Sequence, residues 1–488
     1  MNLKPKEVLT ESEVRRGMNV VIWDGLASEM MTTFTGSAFL VAMALLMGAN
    51  NVQIGILAAL PTFTNIFQLI SIWLVRKFNN RRAIAVFCAF LARFPLVCIG
   101  ASALFFSGSS ISILIFFLFF YYLFGSIAGP AWNSWMKDLI PESMLGGYFS
   151  RRSRYNQILD VVFSIVLAGL LDFVKSRFPE YELRVYAIFF IIAGIVGTIG
   201  GYVLSFAPEP QSYLSNANIL SLFKQPLRDK NFRRLLTFNS AWVFALNIAT
   251  PFFTVFMMKA MGLPISYIII LSIISQLSSI MTIRVWGTFA DRYSNKTIIA
   301  LSAPIYIVCI LAWCFIGIYS NLYINLVLLA GIHMFTGIST AGINLSLTNI
   351  GLKLAPREDA IVYLSVKNII TAFFSSMGPL VGGILADYFA SRSLLITAQW
   401  SSPGLTKVGK LFSLHQWNFL FLIGAMLALL SMELLAHVNE VGEVDKDVVK
   451  KVMRKSIKRD LKEYFLIGNI ISWHEQLRTI IKLKKRNV

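Results

Sequence analysis

Four ionisable side chains stand in stretches that are otherwise apolar: Asp24, Glu29, Arg93 and His333. A carboxylate held near a cation in such surroundings can change its charge within a working cycle, which is what a proton-coupled process requires. Glu29 is the first proton-coupling candidate. On a helix entering apolar surroundings near Asn19 it lies about 15 Å in, with Asp24 at roughly half that depth. The competing reading is a permanent ion pair between Glu29 and Arg93. Asp24 and Glu29 are five residues apart, about 140° around a helix, so one is expected to face a ligand and the other a neighbouring helix. His333 sits about 16 Å into its own apolar stretch. It can change protonation near neutrality or serve as a hydrogen-bonded packing residue.

The elements that hold these residues follow from composition. With 56% hydrophobic and 14% charged residues over 488 positions, water is not the main solvent of this chain. A bilayer core of about 30 Å needs roughly 20 helical residues per crossing. Apolar runs predict spans over 19–47, 51–75, 83–106, 111–136, 156–174 and 185–206, then 237–260, 264–287, 297–318, 322–350, 362–389 and 416–437. The fold class is thus all-α multi-pass, twelve transmembrane helices in two six-helix halves. Strands of a membrane barrel would alternate apolar and polar residues, whereas Ile111 to Leu123 is apolar on every side.

A gapless shift of 215 residues lays the second half over the first. It brings Trp23-Asp24 onto Phe238-Asn239, Pro141 onto Pro356, and Leu171-Asp172-Phe173 onto Ala386-Asp387-Tyr388. Parallel six-span repeats build transporters whose solute sits between the halves near the bilayer midplane. The expected organisation is a short N-terminus at 1–18, bundles at 19–206 and 237–437, a linker at 207–236 and a basic amphipathic tail at 438–488.

Orientation follows from basic residues in short loops. Arg76, Lys77, Arg81 and Arg82 follow span 2, while Arg151, Arg152 and Arg154 follow span 4. Lys224, Arg228, Lys230, Arg233 and Arg234 follow span 6, and the links after spans 1, 3 and 9 have no basic residue. Both termini are expected in the cytoplasm of a bacterial inner-membrane protein, although Lys175, Arg177, Arg184, Arg392, Lys407 and Lys410 fall in outer loops. No cleaved signal peptide is expected. The net charge of +19 is assigned to anionic inner-leaflet lipid rather than nucleic acid. The tail, with thirteen basic and seven acidic residues, is read as lying along that leaflet, or else as docking a partner. The four cysteines fall in predicted spans and lack metal-site spacing.

Between spans 8 and 9 the chain reads Gly287-Thr-Phe-Ala-Asp291-Arg292-Tyr-Ser-Asn-Lys296. Glycine permits close helix approach, aspartate can accept from a helix N-terminus, and the basic residues hold the turn. The stretch resembles the loop signature G-x-L-A-D-R-x-G-R-K of the major facilitator superfamily. At the equivalent turn of the first half Ile72 and Arg76 replace the glycine and the aspartate. The resemblance implies a conformational latch carried mainly by Gly287, Asp291, Arg292 and Lys296. Trp132-Asn133-Ser-Trp-Met-Lys-Asp138 resembles a signature of certain bacterial members and is read as structural. Gly378-Pro379-Leu-Val-Gly382-Gly383 is similar to the antiporter motif but lies in span 11 rather than span 5, so it carries no vote for export.

In that superfamily spans 1, 4, 7 and 10 line the central cavity. The resemblance implies a lining that includes Thr32, Thr35, Asn133, Asn239, Trp242, Asn247, His333 and Asn344. Arg284, Lys367 and Glu433 are read as snorkelling near span ends. The chain shows no nucleophile–base constellation, metal-ligand cluster, cofactor motif or Walker-type phosphate loop. The expectation is a monomeric secondary active transporter, not an enzyme, importing a small polar organic solute with protons. The alternatives are a proton-coupled exporter of drugs or metabolites, or a non-transporting membrane protein acting through its tail.

Overall fold

The computed structural model describes residues 5–105, 110–211, 224–317, 321–356, 360–402 and 405–440; the expected tail beyond 440 and linker residues 212–223 lie outside them. Among the described residues twelve helices are long and apolar enough to cross a membrane. Spans 1 to 6 are Glu11–Leu46, Asn51–Phe78, Arg81–Phe105, Ile111–Leu139, Glu142–Arg177 and Pro179–Leu204. Spans 7 to 12 are Lys230–Lys259, Ile265–Arg292, Asn295–Phe315, Leu322–Leu354, Val362–Tyr388 and Trp417–Ala436.

Every apolar run of the sequence becomes a helix because a buried backbone must satisfy its own amides in lipid. The differences lie at the ends. Span 1 starts at Glu11, where Thr10 and Glu13 form a capping box. Span 5 carries Arg151, Arg152 and Arg154 on its helix rather than in the preceding turn. Hydropathy cannot see such extensions, since a helix continuing past the hydrocarbon has no reason to stay apolar.

The halves repeat one packing scheme. Spans 1 and 6, 3 and 6, 3 and 4, and 1 and 5 pack together, as do 7 and 12, 9 and 12, 9 and 10, and 7 and 11. Each half also ties its sixth span to its third by the same device. Glu209 accepts from the backbone N–H of Arg81 and Arg82 at 2.8 and 3.0 Å. Glu440, beyond span 12, accepts from those of Asn295 and Lys296 at 3.2 and 2.7 Å. Both acids thereby satisfy the unpaired donors of a helix N-terminus and complement its dipole. The tryptophan-rich stretch of span 4 braces the first of these: Asp138 pairs with Arg81, and Trp135 Nε1 donates to Pro208 O at 2.9 Å.

Between the halves, span 2 crosses span 11 and span 5 meets span 8. The first crossing is tight enough to demand glycine. A Cβ on Gly55 would lie 2.3 Å from Pro379 O, and one on Gly382 would lie 2.3 Å from Ile248 O of span 7. The G-P-x-x-G-G stretch is therefore a packing seam between span 11 and two neighbours.

The hydrogen bonds tying the halves gather at the face opposite the basic turns, hereafter the opposite face. Asp387 at the end of span 11 accepts from Asn51 N, Val52 N and Asn51 Nδ2 at the start of span 2, at 3.3, 3.2 and 2.7 Å. Asp172 at the end of span 5 accepts from Ile265 N and Ser266 N at the start of span 8, both at 3.0 Å. These aspartates are partners in the 215-residue repeat, so each half caps a helix of the other. On this face β1 (Ser393–Ser402) and β2 (Leu405–His415) form an antiparallel hairpin between spans 11 and 12, where the sequence predicts an outer loop.

Candidate functional site

Span 1 turns Asp24 inward beside Gly25, while span 3 brings Arg93 from the other side. Both are nearly inaccessible, at 4% and 7% exposed. Span 6 supplies the slot for the guanidinium: a Cβ on Gly197 or Gly201 would come within 3.0 Å of Arg93 side-chain atoms. The closest approach of Arg93 Nη2 to Asp24 Oδ1 is 3.8 Å, an ion pair without a direct hydrogen bond. Nη2 also reaches Ser28 Oγ at 3.4 Å. Arg93 Nε and Nη1 and Asp24 Oδ1 have no hydrogen-bond partner among the described residues.

These groups line a cavity of 480 Å³. Spans 1 to 4 contribute most of its wall, including Asn65, Gln68, Tyr121, Tyr122, Trp132 and Asn133, and span 5 adds Arg152. The Arg152 guanidinium lies over the Trp132 ring, 5.1 Å from its centroid, and its Nε donates to Val21 O at 3.4 Å. Gly25 makes room for it, since a Cβ there would fall 2.6 Å from Arg152 Nε. The volume suits a small organic molecule, and the wall mixes a few polar groups with aromatic surface as solute sites do.

The structure separates the two carboxylates as the helical geometry requires. Asp24, not Glu29, partners Arg93, which removes the competing reading of a permanent Glu29–Arg93 pair. Glu29 points to span 5 and accepts from Asn156 Nδ2 at 3.0 Å. One turn on, Thr33 Oγ1 donates to Asp160 at 2.8 Å, and Ser164 Oγ reaches the same oxygen at 3.3 Å. Spans 1 and 5 thus share a polar seam with two acids, Glu29 and Asp160.

Of the other residues expected at the cavity, Asn133 lines it. Thr32 and Thr35 instead return their hydroxyls to the carbonyls of their own helix. Asn239 and Asn247 of span 7 reach across to span 11, donating to Thr371 Oγ1 at 2.6 Å and Ser375 Oγ at 3.1 Å. Trp242 is 1% exposed and packs on Phe238 and Tyr306 in the core of the second half. His333 is half-buried against Trp313, ring centroids 5.8 Å apart. Asn344 is exposed. Lys367 does not snorkel: it is 8% exposed and donates to Leu347 O at 2.7 Å. Asp160 and the cavity role of Arg152 are absent from the residues expected from sequence. Arg152 precedes the expected span 156–174, where a charge reads as loop chemistry until the helix is seen to extend through it, whereas Asp160 lies within that span and carries the same signal, a charge in an apolar run, as Asp24 and Glu29.

The motif after span 8 is in a loose arrangement. Asp291 and Arg292 are exposed, and Arg292 lies over Tyr293 at 5.7 Å. A Cβ on Gly287 would meet only Leu345, at 3.7 Å. Lys296 belongs to the Glu440 cap through its backbone, with its ammonium on Ala436 O. Among the described residues no His, Cys, Asp and Glu cluster could hold a metal.

Residues 25–379 match the family model of the Major Facilitator Superfamily, across the cavity, the motif and both halves. The chain belongs to that superfamily. It is accordingly a multi-pass membrane transporter and not an enzyme. Solved structures of the superfamily share the fold at low identity. A crystal structure of a mutant form of the nucleoside transporter NupG is 12% identical at a TM-score of 0.65, covering 88% of this chain and 100% of that one. An auto-inhibited peptide transporter of the POT family is also 12% identical, with a TM-score of 0.60 and coverage of 88% and 98%. A bacterial homologue of the human lysosomal transporter Spinster, inward-facing and unoccupied, is 14% identical, with a TM-score of 0.59 and coverage of 88% and 95%. No curated protein matches by sequence.

Proposed function

We propose that this superfamily member is a proton-coupled secondary transporter of a small polar organic solute, working by alternating access in a bacterial inner membrane with both termini cytoplasmic. The observation that carries the reading is the Asp24–Arg93 pair in the cavity wall. Protonation of Asp24 removes the charge that holds Arg93, so proton binding and solute binding are coupled through one guanidinium. Glu29 and Asp160 form a second carboxylate site, at the polar seam between spans 1 and 5. In this orientation the basic face is cytoplasmic, and the aspartate caps close the outer face. The named activities of the structural neighbours, nucleoside and peptide transport among them, are compatible with a polar organic solute.

The test is uptake into proteoliposomes under an imposed pH gradient, with pooled sugars, amino acids, organic acids, nucleosides and peptides. Gradient-driven accumulation by the native chain, lost in Asp24→Asn, supports proton coupling at Asp24. Accumulation only when the gradient is reversed marks an exporter. If no pool moves in either direction, transport itself falls.

A further inference from the structure

We infer that the cavity beside Arg93 is an anion-binding subsite, so that the solute carries a carboxylate or phosphate group; the inference rests on the transport reading and narrows its substrate class. An arginine only 7% exposed would ordinarily have its donors engaged, because an unpaired buried charge is among the costliest features a fold can keep. Arg93 has two nitrogens without a partner among the described residues, and its one acidic neighbour stands 3.8 Å away. Gly197 and Gly201 fit closely around the side chain, so a solute acceptor reaches it only from the cavity that Arg93 lines. The acceptors must therefore come to it.

The charge of the wall points the same way. Arg93 and Arg152 face the cavity against the single carboxylate of Asp24, which leaves one positive charge for a solute to match. A planar guanidinium fork recognises carboxylate and phosphate through paired hydrogen bonds. When Asp24 takes up a proton, the solute anion replaces its carboxylate on Arg93. One proton and one monoanion then enter together without net charge movement. The rest of the solute has space on span 4. Gly125 and Gly129 line the cavity, and a Cβ added to either would meet nothing within 4 Å, with Tyr121, Tyr122 and Trp132 as flanking aromatic surface.

The experiment measures binding to detergent-purified full-length protein by thermal shift and isothermal titration. One panel holds lactate, succinate, glycerol 3-phosphate and uridine monophosphate; the matched neutral panel holds glycerol, glucose and uridine. The expected result is binding by at least one anion, weakened tenfold or more in Arg93→Gln and not rescued by Arg93→Lys. Gly125→Leu should abolish binding while the melting temperature without solute stays within about a degree of the native value. That variant keeps the test open if Arg93 variants fail to fold. Binding by neutral solutes alone, equal in native and Gly125→Leu protein, overturns the anion subsite while transport stands. Binding by neither panel, together with no movement of any pool in liposomes, overturns both.

Discussion

At the level of single residues, position in the apolar runs singles out Asp24, Glu29 and Arg93 without any structure, because a charge deep in such a run must have a reason to be there. Their partners are not legible in the same way. Spacing along span 1 shows that Asp24 and Glu29 diverge, yet only the packing of span 6 against spans 1 and 3 decides which of them meets Arg93. The further polar and aromatic cavity candidates divide on the same ground, Asn133 reaching the cavity while Asn239 and Asn247 bond span 11. Helical phase between neighbours is a property of tertiary packing that a run of apolar residues does not encode. The pair predicts separable effects. Asp24→Asn should abolish accumulation driven by a pH gradient yet keep solute exchange between loaded and empty faces, measured as counterflow. Gradient-driven accumulation that survives the change would remove Asp24 from coupling and return Glu29 to first place.

At the scale of elements, helix N-termini are the recurring anchor, and acidic residues from distant segments close them. The two opposite-face caps hold this conformation. A lost cap costs about 1 kcal/mol, so Asp172→Ala with Asp387→Ala, which remove the accepting oxygens, should shift the equilibrium between conformations closed and open at this face roughly thirtyfold. Leu46 lines a cleft beside Asp172 on that face. A Leu46→Cys reporter should then label faster with an impermeant maleimide in the double variant, and an unchanged rate would mean that the caps do not hold the face shut. The cap after span 12 makes a pH prediction. Burial raises the Glu440 carboxyl, but hydrogen bonds from the Lys296 N–H, Asn295, Lys353 and Ser294 outweigh it and hold the group below its ordinary value. A carboxyl lowered on folding stabilises the fold above its unfolded pKa, and that contribution disappears as pH falls through the folded value. Native protein should therefore lose more melting temperature between about pH 6 and about pH 3 than Glu440→Gln does. Parallel curves would deny the cap an energetic role.

Across the whole molecule, the repeat is readable because duplicated halves keep their span lengths and turn residues, and the structure repeats their packing pair by pair. What departs from symmetry is chemistry. Under the same register Asn239 stands where Asp24 does and Val308 where Arg93 does, so the buried ion pair belongs to the first half alone. The second half contributes instead the glycine seam and the loose motif after span 8. Gly55→Ala, which drives a Cβ into Pro379 O, should cost on the order of 2 kcal/mol or more in stability. Gly287→Ala should leave stability intact, since only Leu345 at 3.7 Å faces it, and should slow transport if the helices close there in the other conformation. Equal melting temperatures for native and Gly55→Ala protein would refute the seam. The β1–β2 hairpin also breaks the register. The spacing of 215 between Arg81 and Lys296 widens to 231 between Glu209 and Glu440, because the second half carries extra chain between its fifth and sixth spans. The first half completes the same packing with a three-residue 3-10 turn at Pro179–Tyr181 in that place. The hairpin is thus an addition to a plan that the first half completes without it, seated through Leu414 of β2, and the exposed Ser401 near the end of β1 is a natural port for a fluorophore to follow the protein at work.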